Sequence, residues 1–294
     1  MTSGADTGAI HDIGYRKYDG PRLGSAYVFR ALTLNSLRGT FGLGRSARSK
    51  VMPMLLLAIL TVPALLIAGI AVIGGAEKLP VDYTAYAINL QVLVSVFVAA
   101  QAPQLVSRDL RHRVVGLYFS RPMSHGDYVR AKLLAMTGAI LVLTGLPLLV
   151  LYVGALLGKM SIGSNTQGFL RGLAGAVVLS AVLAAISVTM SAFTTRRGLG
   201  VAAIVTVLLV LSGVSGTVSA IAEQQGNSSL AGWAGLLSPY SLVYVVEAKV
   251  LGADANGASM PPGAIGGVVF CLAAVAIVAG AYALLMLRYR RVSV

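Results

Sequence analysis

The chain has 294 residues, 56% of them hydrophobic and 11% charged, with a mean hydropathy of +0.81 and a formal net charge of +13. So apolar a composition excludes an ordinary water-soluble globule, whose surface needs far more charge. The basic excess would suit nucleic acid, but its distribution along the chain excludes that reading in favour of a membrane topology.

Residues 1–50 read as a polar, basic lead, and residues 51–294 as a six-helix transmembrane domain. No short apolar core with a small-residue cleavage site lies in the lead, so the first span is expected to insert as a signal anchor. Asp19-Gly20-Pro21 is a turn signal. Residues 25–47 predict an amphipathic surface helix with Tyr27, Leu34, Leu37 and Phe41 on one side. Arg30 falls among them and can snorkel to headgroups; an ordinary cytoplasmic helix is the alternative.

Six apolar stretches follow, near 51–73, 86–106, 133–157, 170–193, 199–221 and 264–287. Each approaches or exceeds the roughly 20 helical residues that cross a hydrocarbon core about 30 Å thick. Nineteen of the 23 Lys and Arg residues lie in the lead, in the 2–3 and 4–5 loops, or after the last span. The other four, Lys78, Lys159, Arg171 and Lys249, fall in the alternate loops. The positive-inside rule then puts both termini in the cytoplasm. Between spans five and six, the stretch 230–252 is apolar but interrupted by Pro239 and closed by Glu247 and Lys249. With Trp233, Tyr240 and Tyr244 it predicts two short helices at the outer leaflet.

Most catalytic chemistry lacks its residues. A phosphate-binding loop needs a glycine five residues before the Gly-Lys pair. Before Gly158-Lys159 that position is Val153, and Met160 follows where Ser or Thr is required. The chain therefore has no ATPase motif of its own. Gly213-Val214-Ser215-Gly216 would suit an intramembrane serine protease only with a histidine on a later span, and His11, His112 and His125 all precede it. No His/Cys/carboxylate spacing indicates a metal. Cys271 is the single cysteine, so no intrachain disulfide exists.

None of the ten acids falls mid-span, which argues against an ion-coupled pathway. Asn89, Gln91, Gln101 and Gln104 are the polar candidates along span two. They are suited equally to lining a pathway and to interhelical hydrogen bonding. The 2–3 loop carries Asp109, Arg111 and Arg113, then apolar Leu117, Tyr118 and Phe119, then Pro122. Such a segment suits docking in a partner's groove, or simply a juxtamembrane helix.

The stretch from Asp109 to Lys132, containing Leu117-Tyr118-Phe119-Ser120-Arg121-Pro122 and Asp127-Tyr128, resembles the loop of ABC-2 type permeases. Tyr15-Arg16-Lys17-Tyr18-Asp19-Gly20-Pro21-Arg22 is similar to the lead of some members, and Ser238-Pro239 also fits. Arg113 stands where many members have glycine. The resemblance implies the six-span membrane subunit of a bacterial ABC exporter, multi-pass in the inner membrane. It implies an elbow helix in the lead and a coupling helix in the 2–3 loop. It implies two cytoplasmic ABC ATPase subunits, a second permease copy or homologue, and an extracytoplasmic accessory protein in some systems. No cofactor is expected in the chain itself; ATP and magnesium belong to the partner. Asp109, Arg111 and Arg113 would be the charged coupling contacts and Leu117, Tyr118 and Phe119 the apolar anchor. A non-transporting membrane scaffold and an ion-coupled secondary carrier are the other readings.

Overall fold

The structure, a computed structural model, describes residues 20, 23–106, 109, 123–194, 196–253 and 259–292. Among the described residues it contains helices and no strands. In chain order these are α1 (Ser25–Thr40), α2 (Ala47–Ile73), α3 (Tyr83–Asn89), α4 (Gln91–Leu105), α5 (His125–Leu157) and α6 (Ile162–Phe193). There follow α7 (Arg197–Gln224), α8 (Ser228–Trp233), a 3-10 turn (Ala234–Leu237), α9 (Pro239–Val250) and α10 (Gly263–Val292).

Five of these helices, α2, α5, α6, α7 and α10, are long and apolar enough to cross a membrane. The chain is thus an α-helical protein of multi-pass membrane character. α5 and α6 form the central pair and pack along each other; α1 and α2 lie on α5, and α10 lies on α6. About half of the apolar window of α5 and α6 is buried, against a quarter or less on average in α2, α7 and α10. The outer helices turn Leu65, Leu66, Ile70, Val210, Val214, Leu272 and Val275 outward. In water such a surface would aggregate; in lipid it is solvated.

The second apolar stretch is broken. α3 and α4 pass the length and hydropathy test only together, and they are bent by 63° at Leu90. No proline or glycine stands there. The bend is held from outside: Tyr83 donates to Asn165 Oδ1 at 3.0 Å, and Tyr86 donates to the Leu60 carbonyl. On the other arm, Tyr240 of α9 donates to the Gln91 carbonyl at 3.1 Å and meets Ser95 Oγ at 2.7 Å. Buried hydroxyls must be paired, so these tyrosines clamp both arms where they lie.

The connection between α7 and α10 does contain two short helices. Ser238 caps α9 by accepting from the Ser241 amide, and Pro239 occupies its first turn, where its missing N–H costs nothing. Yet α9 does not lie on the surface. It is packed against both α6 and α10, burying Tyr240, Leu242, Val243, Val245, Val246 and Glu247. Gly175 of α6 admits the Glu247 carboxyl, which fills the space a Cβ would take.

Close approach also sets the α2–α5 contact. Gly154 of α5 faces Ala68 of α2 so tightly that a Cβ on it would overlap the Ala68 methyl. Small residues at such crossings let backbones meet, which is how helices gain packing energy inside lipid.

Candidate functional site

The side of α1 expected to be apolar is split: Phe41, just past its end, is buried and Leu37 half-buried, while Tyr27 and Leu34 are exposed. The buried stripe within the helix, Leu32, Ser36 and Thr40, includes two hydroxyls. The reason stands opposite, on α5. Lys132 is only 5% exposed, and it needs polar partners at that depth. Its Nζ donates to Ser36 Oγ at 3.3 Å and pairs with Asp109 Oδ2 at 2.8 Å. It also lies 5.4 Å from the centre of the Tyr128 ring, one turn earlier. Tyr128 in turn donates to Asp109 Oδ2 at 2.9 Å. One carboxylate from beyond α4 therefore ties α5 and, through Lys132, α1.

The start of α5 is built for this. Ser124 Oγ accepts from the Asp127 amide at 3.1 Å, and Asp127 accepts from the Ser124 amide at 3.3 Å, a reciprocal capping box. Arg130 adds an ion pair to Asp127 at 2.6 Å. The helix thus begins seven residues before Lys132, at His125, and carries it rigidly, with Tyr128 on the same face.

Beside this pair a polar cavity of about 590 Å³ opens between α1, α4 and α5. Asn35, Ser36, Thr40, Arg45, Gln101, Gln104, Asp109 and Lys132 contribute its polar wall. Arg45 arrives by way of the turn after α1. Gly42 there has φ +68°, and a Cβ on it would meet the Ser49 carbonyl oxygen at 2.5 Å. Arg45 then donates from Nη1 to Gln104 Oε1 at 3.4 Å. Gln104 Nε2 donates to the Ala100 carbonyl at 3.2 Å. Gln101 is 1% exposed, and its amide nitrogen makes no hydrogen bond among the described residues.

The sequence candidates divide between two places. Gln101, Gln104 and Asp109 come together at the cavity. Asn89 and Gln91 flank the bend at Leu90; Gln91 begins α4, about 15 Å along the helix from Gln101 at 1.5 Å per residue. Asn89 is exposed. Arg111, Arg113, Leu117, Tyr118 and Phe119 lie outside the described residues. Sequence reasoning missed Lys132, Arg45 and Ser36 as members of one site. In the sequence Lys132 stands out only as a loop charge and as the end of the 109–132 stretch, although it is the last charge before the unbroken apolar run 133–157. Among the described residues no group of three His, Cys, Asp or Glu is arranged to hold a metal ion.

No protein-family model matches the chain, and no curated protein matches it.

Proposed function

We propose that the chain is a membrane permease subunit of an ATP-driven exporter, coupled to separate cytoplasmic ATPase subunits. The observation that carries this reading is the bracing of Asp109. This residue stands at the head of the basic 2–3 loop, and its carboxylate is held by Lys132 and Tyr128 of α5. Force on that loop passes through Asp109 to α5, one of the two central helices, and through Ser36 to α1. A lever of this kind suits a chain that has no nucleotide motif of its own.

In this reading the bent α3–α4 pair counts as one span, giving six, with both termini cytoplasmic and α1 as the elbow helix. The polar cavity then faces the cytoplasmic leaflet. A second permease copy or homologue completes the pathway. The resemblance of the 109–132 stretch to ABC-2 type permeases supports the same assignment.

The test is a gentle-detergent purification of the tagged chain from its native membranes, with mass spectrometry of co-purifying proteins. A stoichiometric soluble protein bearing a phosphate-binding loop, whose ATP hydrolysis rises in the reconstituted complex with substrate, supports the permease. Stoichiometric capture with no transport points to a membrane scaffold. Transport driven by an ion gradient with no ATPase points to a secondary carrier.

A further inference from the structure

We propose that the seam between the C-terminal ends of α2 and α5 binds one anionic phospholipid, with an acyl chain laid in an apolar groove and the phosphate held by Lys78 and Lys159. Two cavities, each of about 430 Å³, lie end to end along that seam. The first is lined wholly by aliphatic residues and glycine, from Leu65 to Ile73 on α2 and from Leu149 to Leu157 on α5. The second is lined by residues 75–78 beyond α2, and by residues 158–161 and Ser164 beyond α5. They meet where the two helices end. A Cβ on Gly158, in the second, would lie 3.2 Å from Cγ2 of Val72, in the first.

The apolar groove is about as long as one leaflet is deep. From Leu65 to Ile73 it runs about 12 Å at 1.5 Å per residue, against the roughly 15 Å that one leaflet gives to a hydrocarbon core about 30 Å thick. Its floor is the close crossing of Gly154 and Ala68, where no long side chain fills the space between the helices. Gly69 opens it further, because a Cβ there would meet nothing within 4 Å. A concave aliphatic wall of this kind takes a hydrocarbon chain and offers a polar group nothing.

The polar cavity suits the other end of the lipid. Lys78 and Lys159 are exposed there beside a single acid, Glu77, and among the described residues neither lysine makes an ion pair. Basic residues at the level where a helix leaves the hydrocarbon meet lipid phosphates. The backbone gives an independent sign. Lys159 has φ +54°, the one positive φ outside glycine among the described residues. It closes α5, its amide donating to the Leu156 carbonyl at 3.1 Å and that of Met160 to the Ala155 carbonyl at 3.1 Å. Glycine takes such a closing position without strain, and lysine does not. Strain of this kind marks residues whose side chains are used.

A second copy of the chain fits the seam less well. A two-fold contact there would set both lysines against the same lysines of the other copy, and like charges oppose such docking. With both termini cytoplasmic, as proposed above, the lipid belongs to the outer leaflet.

The proposal goes beyond the exporter reading and does not need it, because binding is measured on the isolated chain with no ATPase. The purified full-length protein in detergent is titrated with phosphatidylglycerol, with its chain-free headgroup glycerophosphoglycerol, and with diacylglycerol, which lacks the phosphate. Bound copies are counted by native mass spectrometry, and stabilisation is read from the thermal midpoint. One saturable phosphatidylglycerol per chain is expected, with each of the two fragments weaker by about 10-fold or more. Lys78→Gln and Lys159→Gly should each weaken it about 5-fold, the worth of one basic residue at a lipid surface. Lys159→Gly should also leave the lipid-free midpoint at or above that of the wild type, because glycine relieves the backbone. A lysine with a structural role alone would not separate those two readouts. Lys249→Gln removes the same charge outside both cavities and should bind as the wild type does. Gly69→Leu fills the groove from a position with free space, and should weaken binding about 10-fold with no fall in the lipid-free midpoint. Either fragment binding as tightly as the whole lipid overturns the proposal. So does weakening by Lys249→Gln equal to that by Lys78→Gln, or unchanged binding in Gly69→Leu, or a stable dimer that takes up no lipid.

Discussion

Lys132, on a helix that crosses the core of the molecule, reaches out 2.8 Å to Asp109, a residue 23 positions earlier and beyond the end of α4. The ammonium is nearly inaccessible and the carboxylate side chain is only 15% exposed, so each is the other's principal compensation for lost water.

Removing one member should therefore cost more than removing both. Asp109→Asn leaves a buried ammonium and is expected to destabilise by about 3 kcal/mol, whereas Asp109→Asn combined with Lys132→Met should recover most of that loss. Thermal midpoints of the two single variants and the double variant in detergent form the cycle. Additive effects would mean that the two side chains do not interact.

The contact between α2 and α5 depends on one missing side chain. A methyl on Gly154 would overlap the methyl of Ala68, and neither can rotate away. Gly154→Ala is expected to destabilise by roughly 1–3 kcal/mol through overpacking. Moving the methyl across the interface, in Gly154→Ala with Ala68→Gly, should restore stability. A double variant no better than the single one would place the strain elsewhere.

Glu247 predicts a pH dependence. Helix α9 has 12 residues, too few to span, yet it buries this carboxyl and pushes its pKa up from 4.5 to about 8. Burial alone is the cause. Between those values the folded protein holds a proton that the unfolded chain has lost. Stability is therefore full below the lower value and falls as pH rises towards the upper one, by up to about 1.4 kcal/mol per pH unit. Glu247→Gln should match the wild type at pH 5 and exceed it at pH 8.5. Parallel pH profiles for the two proteins would refute the assignment.

Orientation can be read with a single reactive thiol, because Cys271 is the chain's one cysteine. On a Cys271→Ser background, Lys78→Cys and Lys159→Cys should react with a membrane-impermeant maleimide on intact cells, and Arg48→Cys and Arg291→Cys only after lysis. All four positions are exposed. The reverse pattern would invert the topology and move the cavity to the other leaflet.

Much of the architecture was legible along the chain. The runs at 51–73, 133–157, 170–193, 199–221 and 264–287 each lie within one long helix. The caps at Ser124 with Asp127 and at Ser238 before Pro239 are local signals too, but the sequence reading passed over the first and took Pro239 only as an interruption. The run 86–106 contains α4 but also most of α3, and nothing local marks the bend at Leu90. Tyr83, Tyr86 and Tyr240 make that bend, through partners 82, 26 and 149 residues away.

The candidate site divides in the same way. Gln101, Gln104 and Asp109 stood out as polar residues in or near an apolar segment, because polar groups are conspicuous against that background. Their neighbours Lys132, Arg45 and Ser36 did not, nor did the burial of Glu247 against Gly175. Hydropathy and helix caps are local sums over adjacent residues, so sequence alone determines that the chain is helical, apolar and basic at particular loops. Which face of α1 meets α5, and which carboxylate answers Lys132, depends on how helices distant in the chain are packed side by side. A buried charge is worth keeping only where that packing brings its partner, so the tertiary structure decided the site.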